Sequence, residues 1–220
     1  MNELASLLRH VPVSDHAKDA VVRRLHEPHR WYHNLDHVVE MWCWHNEYKG
    51  ERFTATEEAI VASFCLYHDA IYDPQALGDR NEQASADLWL ADSIDTTDYA
   101  TRIAVDESII ASSDHFGFRD IPHEPVFGWC LDLDLLRLGS IEFDDHGRRM
   151  RAEYGHLTDP QWIKASAEFR AKVMAQPRIF RFTEFTDAET RARRNLAQAL
   201  LQDWQHLGYL SSSRQKTPAS

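Results

Sequence analysis

Apolar residues recur at the spacing of an α-helix along almost the whole chain. Between Ala59 and Asp69, for example, Ile60, Val61, Phe64, Cys65 and His68 fall on one helical stripe. Such a period gives each segment one face to bury, and it cannot be satisfied by a strand, whose side chains alternate. The punctuation agrees. Asp15 is placed to cap a helix toward Leu25, and the Glu27–Pro28 step ends it, because a residue before proline avoids the α region. A second helix is expected from about Asn34 to Tyr48. A third is capped by Thr54 or Thr56 and ends near His68–Asp69. The stretch from Tyr72 to Arg80 reads as a loop, with Asp-Pro and Gly-Asp steps. Further helices fit about 81–94, 99–112, 125–138, 141–155, 160–175 and 186–207. No alternation of strands with helices and no internal repeat appears. Only 8 glycines and 8 prolines occur in 220 residues, which also disfavours a turn-rich β architecture. The expected fold is all-α, a helical bundle forming a single domain over residues 1–210, with 211–220 as a flexible polar tail.

Charge narrows the function. With 24 basic against 35 acidic residues, the chain carries a formal charge of -11. Most of such a surface repels nucleic-acid backbones and anionic membranes, and no basic block offers a nucleic-acid binding surface. A small anionic substrate is compatible with that charge if a bound cation reverses the local field. The three cysteines, Cys43, Cys65 and Cys130, sit in apolar segments and read as reduced core residues. Met1–Leu25 has no continuous apolar stretch of signal-peptide type. The most apolar run, Ala59–Tyr67, is far short of the about 20 residues that span a bilayer. The cytoplasm is the expected location.

Of the 13 histidines, His10, His16, His26 and His206 lie in polar surroundings and read as surface residues. Two segments differ: Arg30-Trp31-Tyr32-His33-Asn34-Leu35-Asp36-His37 and Phe64-Cys65-Leu66-Tyr67-His68-Asp69. His33 and His37 are four apart and share a face if the segment is helical. His37 shares its stripe with Met41 and Trp44 and so points inward. His68 lies on the apolar stripe of its own helix, and Asp69 follows at that helix's end. A buried bare carboxylate is costly unless paired or metal-bound, and imidazole with carboxylate suits a first-row metal. Spacing alone leaves two readings open: a metal site, or core histidines hydrogen-bonded to backbone.

A tandem His-Asp at a helix end, preceded by a histidine one helix earlier and followed by a distal Asp, resembles the pattern of the HD superfamily. Tyr32-His33-Asn34-Leu35-Asp36-His37 is similar to a segment of the cyclic-nucleotide phosphodiesterases of that superfamily. The set is more similar still to a bacterial group of HD phosphohydrolases. That set comprises the same segment, His68-Asp69-Ala70-Ile71-Tyr72-Asp73-Pro74, Asn81-Glu82 and Asp132-Leu133-Asp134-Leu135-Leu136-Arg137-Leu138-Gly139. Arg151-Ala152-Glu153-Tyr154 and Glu189–Leu196 also match, so the resemblance runs from about Trp31 to Leu201. One departure stands out. Ser112-Ser113-Asp114-His115 occupies the place where similar proteins often carry Thr-Lys-His-His, which puts substrate contacts there in doubt.

The resemblance implies an HD-domain bundle that cleaves a phosphate ester of a nucleotide or other small phosphorylated metabolite, using metal-activated water. His37, His68 and Asp69 would ligate a divalent ion (Mn, Mg, Co, Ni, Zn or Fe; one ion or two), with Asp134 as fourth ligand and Asp132 as its alternate. His33 would protonate the leaving oxygen, or else orient a ligand or hold a second metal. Glu82 and Asn81 would orient water or bind substrate, or serve only to open a helix. His115 would donate to phosphate or join a second metal, and Arg178 would contact phosphate or form a structural ion pair. Two other functions fit the same residues: a di-iron oxygenase, with His33 and His115 as extra ligands, and a non-catalytic metal- or nucleotide-binding module. A homodimer is compatible with the sequence, though no feature demonstrates one.

Overall fold

The computed structural model describes residues 2–117 and 125–209. The tail expected at 211–220 lies outside the described residues. Among them are ten α-helices and no strand: α1 Glu3–His10, α2 Asp15–Arg24, α3 Leu35–Tyr48, α4 Ala55–Tyr67, α5 Arg80–Ser93, α6 Tyr99–Ala111, α7 Pro125–Leu135, α8 Phe143–Glu153, α9 Asp159–Met174 and α10 Thr186–His206. The all-α expectation therefore holds, and the helix bounds fall close to those read from periodicity.

Three local details differ. α1, capped by the Asn2 side chain, was not anticipated, because its eight residues are too short for a clear period. The cap of α2 is Ser14, one residue before Asp15; its hydroxyl accepts the Ala17 amide, while Asp15 takes the first-turn place that suits the helix dipole. The segment expected to be helical to 138 is α-helical only to Leu135 and then tightens into a 3-10 turn over Leu136–Gly139.

α4 is the centre of the bundle. Every residue from Ile60 to Tyr67 is buried, and the helix packs against α1, α2, α3, α5, α6 and α7. A helix apolar all round has no solvent face to orient it. Its start is fixed instead by a capping box, in which Thr54 and Glu57 satisfy each other's backbone amides. One buried apolar cluster reaches from Leu7 to Leu196. Two of the cysteines, Cys65 and Cys130, are buried in it, and all three are free thiols. Among the described residues no helix is long and apolar enough to cross a membrane. The packing that matters for function is that of α3, α4 and α7, whose facing turns bring three sequence motifs together.

Candidate metal centre

The Asn34 side chain accepts the His37 amide and so begins α3 at Leu35. His33 and His37 therefore do not share a face of one helix, the condition under which their spacing would have brought them together. His33 precedes the cap, in a bend, yet its ring still lies 6.4 Å from that of His37. The turn that caps α3, rather than helix periodicity, brings the two together. His68 is the C-cap of α4, and Asp69 follows in the turn. Asp134 comes from the last turn of α7.

These groups converge. His37 Nε2 lies 3.0 Å from Asp134 Oδ1, and His68 Nε2 lies 3.5 Å from the same oxygen and 2.9 Å from Asp69 Oδ2. Ligand atoms of His37, His68 and Asp69 all fall within 4.8 Å of one another. Ligands each about 2.1 Å from a tetrahedral ion stand roughly 3.4 Å apart, so the set is the right size for a first-row cation. The tautomer of His68 also fits. Its Nδ1 is 3.2 Å from the carbonyls of Phe64 and Cys65, so Nδ1 carries the proton as donor and Nε2 is left as a bare lone pair. His68 Nε2 and Asp69 Oδ2 are buried and make no hydrogen bond among the described residues. Buried polar atoms in that state are costly, and a cation between them removes the cost. His37 lacks equivalent support, since its Nδ1 is also buried and unpartnered.

The electrostatics say the same. Burial opposes charge on His68, but Asp69 and Asp134 outweigh it and hold its pKa well above the ordinary imidazole value. Burial likewise opposes ionisation of the two carboxyls. His68 and His33 overcome it at Asp69, and His68 with its neighbouring rings overcomes it at Asp134, so both stay below the usual range. His37 shifts the other way, down to about 4, through burial and the nearby Arg137. Two carboxylates in so closed a space require a positive charge. A cation among these ligands would supply it.

Asp132 and Asp134 have separate places. Asp132 is fully buried and accepts the amides of Arg181 and Phe182 together with the Arg181 guanidinium at 3.1 Å. It anchors the chain at Arg181 and Phe182 to α7. Asp134 alone reaches the histidines. Its second oxygen, Oδ2, lies 2.8 Å from His115 Nε2, so His115 does join the cluster, on the far side of that carboxylate.

The other expected site residues divide. Glu82 stands near enough for Asp69 and Asp134 to raise its pKa in addition to its own burial, and its Oε2 is buried without a partner. Asn81 does not cap α5. α5 starts at Arg80, and the Asn81 amide group exchanges two 3.0 Å hydrogen bonds with the Asp73 backbone, clamping the loop before α5. Arg178 donates to the Phe182 carbonyl, and Arg181 is bonded to the His115 carbonyl.

Three residues with positioning roles were not anticipated. Arg30 is buried and donates to the carbonyls of His33, Asp69 and Ala70, tying the His33 segment to the Asp69 turn. Glu153 accepts the Tyr32 and His33 amides with one oxygen and faces His33 Nδ1 at 2.6 Å with the other. Arg137 pairs with Glu40 and donates to the Tyr32 carbonyl. Arg137 and Glu153 sit inside matched motifs and Arg30 just before one, but their partners are up to 121 residues away, a separation that periodicity does not encode.

A second group, Glu40, Glu142 and His146, also has ligand atoms within reach of one point. The Arg137 guanidinium 2.7 Å from Glu40 already supplies the cation there. No protein-family model, curated protein or solved structure matches the chain.

Proposed function

We propose that this protein is a metal-dependent phosphohydrolase of HD type, which cleaves the phosphate ester of a small metabolite. The observation that carries the reading is the convergence of His37, His68, Asp69 and Asp134 from three packed helices, with the His68 tautomer locked to present Nε2. A divalent ion held by these four would supply Lewis acidity, lowering the pKa of a water from 15.7 to about 7 and offsetting the charge of the phosphate.

The remaining roles belong to the protein. His33 holds a proton for the leaving oxygen at Nε2, because Glu153 engages Nδ1. Burial works against charge on His33, but Asp69 and Glu153 raise its pKa above the ordinary value, which favours the donor form. Glu82, held toward its protonated form by burial and by Asp69, orients water at the cluster's edge. His115 and Asp134 share a proton or a cation on the opposite side. Arg30 keeps the His33 and Asp69 segments in register.

The contact between His115 and Asp134 Oδ2 also favours one competing reading. Asp134, with His37 and His115 at its two oxygens, would together with them hold a second iron, which would supply the oxygen chemistry of a di-iron oxygenase. One experiment separates the readings. Metal-stripped protein is reloaded in turn with Mn, Mg, Co, Ni, Zn or Fe and assayed against phosphorylated metabolites, with oxygen uptake followed in parallel. Phosphate release supports the hydrolase. Oxygen uptake by the iron form without phosphate release supports the oxygenase. Binding of metal with neither activity leaves a non-catalytic module.

A further inference from the structure

Gly147 stands in the middle of α8 without a reason internal to the chain. Glycine is the poorest helix former after proline. Its backbone here is not in the left-handed region, the one conformation that would favour it. Packing does not require it either, because a Cβ added at Gly147 meets no atom within 4 Å. Gly139 is the contrast, where a Cβ would strike the backbone of α10. Helix propensity and packing both favour a larger residue at 147, yet the position is half-buried and lines a cavity. Glycine there leaves room for something outside the chain.

The cavity holds about 350 Å³ and is bounded by α8, α9, the 30–34 segment and the 3-10 turn after α7. Small-molecule sites span about 300–1,000 Å³. Phe143, Met150, Leu157 and Trp162 form much of the wall. The polar residues of the lining are engaged or closed off. Arg137 directs Nε to Glu40 and Nη1 to the Tyr32 carbonyl, Arg170 is paired with Asp203, and Glu153 holds His33 Nδ1. Arg137 Nη2, His146 Nδ1 and Ser166 Oγ are buried behind the wall and have no surface on it. Burial and the nearby Arg137 hold the His146 pKa down at about 4, so that ring adds no charge. A ligand edged with hydrogen-bonding groups would give up water here and gain few partners, which is costly. A hydrocarbon surface gains by the same transfer.

Tyr32 and His33 belong both to this cavity and to the border of the metal centre. They line the cavity, while the Tyr32 ring stands 5.7 Å from that of His37 and Asp69 acts on the charge of His33. We propose that the cavity takes the alcohol part of the substrate, and that this part is an apolar aryl or alkyl group seated against Gly147. A phosphate whose leaving oxygen meets His33 has its alcohol part beside the residues where the cavity begins. The assignment to the alcohol part rests on the hydrolase reading above; the apolar binding chemistry does not.

Calorimetric titration of the full-length protein tests the binding, with naphthalenemethanol as the apolar probe and adenosine as a polar ring system of similar area. Naphthalenemethanol should bind saturably at one site, at least about tenfold more tightly than adenosine. Gly147→Leu and Gly147→Met introduce good helix formers, so both should keep the helices by circular dichroism and raise the thermal midpoint. Both should weaken naphthalenemethanol at least about tenfold by filling its place. Adenosine binding as tightly as naphthalenemethanol overturns the apolar assignment. Native affinity for naphthalenemethanol in both variants, or no binding to the native protein, overturns the pocket. Self-association in sedimentation that naphthalenemethanol reverses assigns the cavity to a second copy of the chain and likewise overturns it. In the metal-loaded protein, naphthylmethyl phosphate should be hydrolysed with a higher kcat/KM than adenosine 5′-phosphate, and the opposite order overturns the assignment to the alcohol part. Naphthalenemethanol binding by a protein that releases no phosphate with any metal defeats the hydrolase reading and leaves the apolar pocket standing.

Discussion

The Nδ1 atom of His33 lies 2.6 Å from Glu153 Oε2, while the other oxygen of the same carboxylate accepts the amide of His33 itself. One side chain from the end of α8 thus fixes the backbone, the ring orientation and the proton placement of a residue 120 positions away.

Removing the charge of Glu153 should change how His33 titrates. With Glu153 present, its own carboxylate and that of Asp69 raise the His33 pKa. An acid catalyst must be protonated, so activity should fall as pH rises past that pKa. Glu153→Gln should move this descending limb to lower pH. His33→Asn should retain metal and helical content but lose at least about tenfold in rate, below the range of about 100- to 10,000-fold typical of general acids. Both losses should be smaller for nitrophenyl esters, whose leaving oxygen needs little protonation. Equal loss for good and poor leaving groups, in pH-resolved kinetics, would remove the acid role.

Asp134 and Asp132 should separate cleanly. Asp134→Ala should abolish metal retention, read by elemental analysis. Asp132→Ala should retain metal but lower stability by about 2–4 kcal/mol, because it strips the Arg181 guanidinium and two backbone amides of their acceptor. Denaturant midpoints measure the second effect. The reverse pattern would move the ligand role to Asp132.

Acid sensitivity should come partly from His45, buried on α3. Its Nδ1 accepts the Trp129 indole N–H at 3.0 Å, and its Nε2 faces Glu58 at 2.8 Å. The indole can only donate, so this bond requires an unprotonated Nδ1 and a neutral ring. Burial, the main cause, pushes the His45 pKa from 6.5 down to about 4, against the pull of Glu58. A depressed folded-state pKa means the unfolded chain binds the extra proton first. The contribution is therefore whole above about pH 6.5 and is lost as pH falls toward 4, by about 3 kcal/mol at most. Raised pKa values at His33 and His68 act in the opposite direction, so the test is a difference. His45→Gln should flatten the loss of Tm between pH 6.5 and 4 relative to the native chain.

Gly139 closes the motif that contains Asp134. A Cβ there would stand 2.6 Å from the Ala188 carbonyl oxygen and 3.0 Å from its Cα, both backbone atoms of α10. Arg191 and Asn195 of α10 bond the carbonyls of Gly139, Leu138 and Ser140, so the helix cannot simply withdraw. Gly139→Ala should cost about 1–3 kcal/mol, seen as a lower urea midpoint with an unchanged slope.

The helices were legible because each buries one stripe, and the stripe is written locally in the order of residues. His37 was legible for the same reason, as it shares a buried face with Met41. Asp134 was distinguished from Asp132 only by resemblance. Apolar neighbours surround both, and what separates them is Arg181, 49 residues from Asp132. The nearness of His33 to His37 is not helix periodicity, because the Asn34 cap, visible in the sequence, begins the helix after His33. Arg30, Arg137 and Glu153 left no local trace. A charged residue in a polar stretch looks the same whether it meets water or carbonyls brought from a distant helix.

The proposed phosphate-ester cleavage should depend on a cation held by His37, His68, Asp69 and Asp134. Its most direct test is a titration of metal-stripped protein with each candidate ion, recording bound metal per chain and phosphate release from the same samples. Release should be absent without metal, rise in proportion to occupancy and saturate with it, and Asp134→Ala should show neither binding nor release. Phosphate release that persists in metal-free protein, or full occupancy with no release from any phosphorylated substrate, would contradict the account.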